Sequence, residues 1–377
     1  MAKLMRLSLA AVTLCLLLYV TIRHVAPSVG LHLRGVFPLQ SRPAASLFPP
    51  TAECSQVYQH YTTSLLLNAH HSSNQLANDY MFTTAFFDIG RGSWADYQRS
   101  NDEYLLRLPR LLQQNLPLVL YVDERMLDKV LPMVLHKRKN TDLYTHVISI
   151  NQQWLTCNTL PFRNLDMTTA VLRSEYFLQL VQDHADTPES NTPLYIAINH
   201  AKVDLVMFTH QVVLNATNQQ RSWLGWIDFG FFHCEHCMPT PGKTLDVSKL
   251  QPDAWTCSIM RPFVDLAAYD PVSNIRQATV YIAGAMWLAP QPLIQHFQHA
   301  YHHAMTYFHS LGIDDDDQGI YQWMYFNNFS NMSLPITGSK GLLRWYTDEG
   351  CEKNTDECYL RTEDGRDKQE HIKPDDG

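Results

Sequence analysis

Three apolar, β-prone runs in this chain each come to an aspartate. Met81-Phe-Thr-Thr-Ala-Phe-Phe-Asp-Ile-Gly90 reaches Asp88, Leu116-Pro-Leu-Val-Leu-Tyr-Val-Asp123 ends on Asp123, and Trp223-Leu-Gly-Trp-Ile-Asp-Phe-Gly-Phe-Phe-His233 carries Asp228. Short apolar runs bounded by breakers read as strands covered on both faces. Segments of helical period separate them: Tyr104 to Gln114, Leu127 to Lys139 and Met167 to His184, with a fourth strand at Thr145–Ile150. Strands alternating with helices predict an α/β fold, a mostly parallel central sheet with helices on both faces. In such sheets ligands bind beyond the carboxyl ends of the strands, where Asp88, Asp123 and Asp228 would stand.

The rest of the chain extends this plan. A helix is predicted around Val57 to Leu67. Pro193 to Ile198 is either a short strand or the lead-in to a helix running to about Leu214, with Lys202 and Asp204 near its start. Gln277 to Ala289 is apolar and interrupted by Gly284; Gln291 to Ser310 is a histidine-studded helix; Gly319 to Asn327 is an aromatic helix entered through Asp314-Asp-Asp-Asp-Gln318. The last of these aspartates suits a helix cap, favoured by the helix dipole. Counted as a calcium loop from Asp314, position twelve is Tyr325 rather than Glu, so that pattern fails.

Charge and targeting bound the function. A net charge of -8 over 377 residues, with 45% hydrophobic content, describes a folded protein that does not bind bulk nucleic acid. Lys3 and Arg6 precede an uncharged run from Leu7 to Ile22, closed by Arg23. The run predicts a signal anchor with a cytoplasmic residue 1–6 tail, a 7–22 membrane helix, a 23–79 stem and lead-in, an 80–345 domain and an acidic 346–377 tail. Cleavage after Ala26, giving a secreted disulfide-rich protein, is the competing reading. A short span suits the endoplasmic reticulum or Golgi, single-pass with a lumenal domain. Asn215, Asn328 and Asn331 begin Asn-x-Ser/Thr acceptors, consistent with that compartment.

Carboxylates on one sheet edge are what a hard divalent cation, Mg²⁺ or Mn²⁺, needs when it bridges to a diphosphate. Asp228 is the expected ligand, with His233 as a second; Lys202 and Arg91 are the cationic candidates for phosphate. His233 and Cys234-Glu-His-Cys237 crowd four ligands into five residues, too compressed for a zinc tetrahedron, so a disulfide involving Cys257 is expected instead. No Gly-x-Gly-x-x-Gly, Walker loop or Gly-x-Ser-x-Gly occurs.

The order Thr83-Thr-Ala-Phe-Phe-Asp-Ile-Gly-Arg91, Pro117-Leu-Val-Leu-Tyr-Val-Asp123, Trp226-Ile-Asp-Phe-Gly230 resembles the HtrL/YibB family, itself similar to a branch of the GT-A glycosyltransferases. The resemblance implies transfer of a sugar from a nucleotide sugar to a glycan, lipid or protein acceptor. It implies that Asp228 stands at the first acid of an Asp-x-Asp metal motif, with Gly230 replacing the second. It further implies that Gly284 lies on an acceptor-side strand and that Asp317-Gln318 forms the catalytic pair beside the sugar; Asp88, Arg91, Asp123 and Lys202 are expected on the donor from the residues themselves. Gly230 also motivates the alternative of a GT-A-like module that binds glycans or partners without catalysis.

Overall fold

The computed structural model describes residues 64–67, 79–94, 97–150, 164–214, 221–232, 245–259, 270–327 and 332–333. The expected anchor and tail, His233, the Cys234–Cys237 cluster and the three glycosylation asparagines lie outside these residues, as does the 23–79 stem and lead-in apart from 64–67 and 79. Strands β1 (Ser64–Leu67), β2 (Tyr80–Phe86), β3 (Leu118–Asp123), β4 (Thr145–Ile150), β5 (Trp223–Ile227), β6 (Trp255–Ile259), β7 (Ile282–Pro290) and β8 (Met332–Ser333) form one sheet in the order β1-β4-β3-β2-β5-β7-β6-β8.

The middle of this sheet is the predicted parallel block. β4, β3, β2 and β5 run parallel, with Phe82 opposite Leu118 and Thr83 opposite Trp226. Both faces of these strands are buried, as parallel packing requires. Alternate side chains go to opposite cores: Tyr80, Phe82, Leu118 and Leu120 to one, Met81, Val119, Tyr121 and Trp226 to the other. The first core is closed by α1 (Asn101–Gln113) and α2 (Leu127–Arg138). The second is closed by α3 (Leu165–Leu172), α4 (Glu175–Leu180), α6 (Pro193–Phe208), α8 (Ile294–Ser310) and α9 (Asp317–Phe326), while α5 (Pro188–Asn191) and α7 (Pro271–Gln277) are short connectors.

Outside the parallel block the sheet is mixed. β7 runs antiparallel beside β5, with Trp226 opposite Trp287, and β6 antiparallel beside β7. The reversal has a consequence for the site: it brings the beginning of β7 to the carboxyl ends of the parallel strands. The strand order also reverses at β2, since β3 and β4 lie to one side and β5 to the other. The crevice between the ends of β2 and β5 is therefore a topological switch point, the usual ligand position in such sheets.

Several local expectations need correction. The stretch predicted as the end of a helix at Leu67 is strand β1, antiparallel to β4 with Leu66 opposite His146, because Ser-Leu-Leu-Leu satisfies an otherwise open edge. The single helix expected from Met167 to His184 divides into α3 and α4, because the Ser174 hydroxyl accepts from Phe177 N and starts a second helix. α1 begins at Asn101, ahead of the expected Tyr104, because Ser100 and Glu103 form a capping box. Pro193 opens α6 rather than a strand, and α6 continues into a π-helical turn over Thr209–Leu214. Its apolar character on all sides is that of a helix enclosed between a sheet and outer helices, which is why its polar residues are buried.

Candidate functional site

At the switch point the sequence Phe-Asp-Ile-Gly-Arg after β2 folds into a tight turn. Asp88 Oδ1 accepts from Gly90 N at 3.0 Å, and Gly90 adopts a left-handed φ of 75° that favours glycine. The turn delivers Arg91 against the edge-to-face pair of Trp94 and Tyr195, with its guanidinium carbon 5.4 Å from each ring centroid. Arg91 Nε donates to Tyr97 O at 3.1 Å and Nη1 to Tyr104 Oη at 2.9 Å. Among the described residues Arg91 meets no carboxylate.

After β5 the chain presents Asp228. Its backbone N–H donates to Ala285 O of β7 at 2.8 Å, which fixes the carboxylate to the strand pair. Asp228 Oδ1 receives Trp226 Nε1–H at 2.6 Å and lies 3.2 Å from Lys202 Nζ. Oδ2 has no donor among the described residues, and the side chain keeps 38% of its exposure. One oxygen is pinned and the other is open.

Lys202 comes from the buried middle of α6. Its ammonium lies 3.1 Å from Asp317 Oδ2 and 3.4 Å from Gly284 O, and 5.9 Å from the Trp226 ring centroid. Burial pulls its pKa down, yet Asp228 and Asp317 outweigh burial and hold it above the usual lysine value, so the group is charged. Asp317 is 1% exposed. Burial raises its pKa, Lys202 opposes that rise and Asp228 adds to it. Gly284 makes the approach possible: a Cβ there would lie 2.2 Å from Asp317 Oδ2.

Asp317 is set in place by its predecessors. Asp314 is buried and accepts from Thr168 Oγ1 at 2.6 Å, with His200 Nε2 at 3.0 Å and His309 Nε2 at 2.9 Å. Burial alone would raise its pKa, but the two imidazoles hold it well below the usual carboxylate range. Asp316, rather than Asp317, caps α9 by accepting Gln318 N at 2.9 Å. The Gln318 side chain is half-buried and makes no hydrogen bond among the described residues.

The structure therefore brings together Asp228, Lys202, Gly284 and Asp317, and places Arg91 on the same side through Tyr195, seven residues before Lys202 on α6. Asp88 and Asp123 share the sheet edge but serve the fold. Asp123 is 2% exposed, accepts Arg125 Nε at 2.9 Å and caps the turn that follows β3. Sequence reasoning named none of Tyr195, Tyr104, Trp94 and Trp226 as site residues, because an aromatic side chain in an apolar run reads as core. Cys257 is buried with a free thiol and so is not the partner expected for the Cys234–Cys237 cluster, whose own residues lie outside the described ones.

The residues were tested against a divalent cation. The two acids nearest one another, Asp228 and Asp317, already share an ammonium, and no group of three His, Cys, Asp or Glu among the described residues could hold a metal. A Cβ on Gly230 would meet the Tyr104 ring and Arg107 Nη1 at 3.3 Å, so the position expected for a second acid is occupied by neighbours. The described donor set does not fit a metal held by the protein.

Asp316 gives this cluster a pH signature. It is 6% exposed, and burial first, then Asp317, Asp315 and Glu189, push its pKa well above the usual value. A carboxyl raised in the folded state stabilises below its unfolded pKa and loses that contribution as pH rises. Asn caps helices as well as Asp. Asp316→Asn should thus gain stability relative to wild type in urea melts as pH rises from about 5 to about 8; a pH-independent difference would contradict this.

No curated protein matches the sequence. Among solved structures, the crystal structure of mouse xyloside xylosyltransferase 1, apo form, aligns over 68% of this chain and 84% of that one, at 12% identity and a TM-score of 0.34. The family described as "Bacterial protein of unknown function (HtrL_YibB)" matches residues 78–341. That span holds every residue of the site, from Asp88 to Gln318, and the chain belongs to the HtrL/YibB family.

Proposed function

We propose that this protein is a glycosyltransferase that moves a sugar from a nucleotide sugar to a glycan-type acceptor. The observation that carries the reading is Arg91: a guanidinium with no carboxylate partner among the described residues, held against two aromatic rings at the switch point, is suited to a diphosphate. The resemblance of Trp226-Ile-Asp-Phe-Gly230 to GT-A enzymes supports it. In this reading Arg91 takes charge that develops on the leaving diphosphate. Lys202 contributes field rather than a direct contact, because its three N–H groups face three protein oxygens.

The acceptor oxygen bonds the anomeric carbon as the carbon–oxygen bond to diphosphate breaks, and the diphosphate leaves with the electron pair. Asp317, expected to act on the acceptor, is locked to Lys202 out of solvent and acts as a positioning residue. Asp228 Oδ2 is the open acidic oxygen, able to accept a hydroxyl and its proton. Calorimetry with a panel of nucleoside diphosphates and nucleotide sugars should find at least one ligand, with Arg91→Ala weakening it about tenfold or more. A glycan that binds without nucleotide, and is indifferent to Arg91→Ala, would favour the non-catalytic module.

The uncharged Leu7–Ile22 run behind Lys3 and Arg6 supports a type II anchor in the endoplasmic reticulum or Golgi membrane with the domain in the lumen. Expressed in animal cells, the full chain should stay with membranes after alkaline carbonate and shift in mobility on deglycosylation. Release into the soluble fraction with no mobility shift would defeat that placement.

A further inference from the structure

Around Lys202 Nζ stand Asp317 Oδ2 at 3.1 Å, Asp228 Oδ1 at 3.2 Å and Gly284 O at 3.4 Å. Two carboxylates and a backbone carbonyl are the hard oxygen set that Ca²⁺, Mg²⁺ or Mn²⁺ prefers. They reach this point from three separate elements: the end of β5, the start of β7 and the first turn of α9. Gly284 is the residue that lets Asp317 close the ring, and Trp226 Nε1–H orients the Asp228 carboxylate from behind, as outer partners orient metal-bound carboxylates.

We infer that the Lys202 ammonium stands in for a divalent cation: it occupies the position between Asp228 and Asp317 that a metal would take, and so keeps a metal out of the native protein. Withdrawing the lysine side chain leaves the buried Asp317 carboxylate, the part-exposed Asp228 carboxylate and a carbonyl facing one gap. A buried carboxylate left without its counterion is unfavourable, and an entering cation relieves that cost. The site then binds metal because its own occupant has gone. The inference deepens the transferase reading in the matter of cation requirement and rests on it there, but its test uses no nucleotide, so the two can fail separately.

The experiment is a calorimetric titration of MnCl₂ into wild type, Lys202→Ala and Lys202→Ala/Asp317→Asn, with circular dichroism of each with and without millimolar Mn²⁺. Lys202→Ala should gain one site, about tenfold or more tighter than any binding by wild type, with a matching rise in melting temperature. The double variant should lose the gain. Equal binding by Lys202→Ala and wild type, or a gain that persists without Asp317, would overturn the inference. So would a Lys202→Ala chain that stays unfolded in the presence of Mn²⁺.

Discussion

The ion triad of Lys202 with Asp228 and Asp317 is the interaction on which the rest of the site depends. A lysine that is 6% exposed is tolerable only with close counterions, and it has two carboxylates and a carbonyl within 3.4 Å. The same contacts tie three distant stretches together: the middle of α6, the end of β5 and the first turn of α9. Sharing one ammonium leaves the triad with a net negative charge. The open oxygen of Asp228 therefore suits a hydroxyl better than a phosphate. The task of meeting phosphate passes to Arg91, which carries no such negative partners among the described residues.

The fold explains why these groups meet. Parallel strands β2 and β5 put Asp88 and Asp228 at one sheet edge, and antiparallel β7 brings Gly284 to the same edge from the other direction. β5 and β7 run so close that a Cβ on Gly225 would lie 2.0 Å from Trp287 O. α6 crosses beneath this edge, enclosed on all sides, and supplies both Tyr195 and Lys202. Asp314, held by side chains from α3, α6 and α8, fixes the turn that starts α9 and so determines where Asp317 points.

Much of this was legible in residues and much was not, for physical reasons. Buried parallel strands announce themselves as apolar runs, so β2, β3, β4 and β5 were readable. β6 and β8 lack such runs, and the antiparallel sense of β7 is decided by pairing with β5, which local pattern does not encode. Asp228, Lys202, Gly284 and Asp317 could be named as candidates, yet their relation could not. An aspartate after a strand can cap a turn, pair with a cation or face a ligand, and the choice depends on partners far along the chain. Asp123 found Arg125 two residues away; Asp228 found Lys202 on another element. Asp317, named for the reaction, is also the residue that holds the lysine.

The most direct measurement of this account is a double-mutant cycle in urea unfolding between Lys202→Met and Asp317→Asn. A shared buried charge predicts single losses of about 3–5 kcal/mol each and a coupling energy of about 2 kcal/mol between them. Losses that add to within about 0.5 kcal/mol would show that the two residues do not depend on each other, and would contradict the triad as the centre of the site.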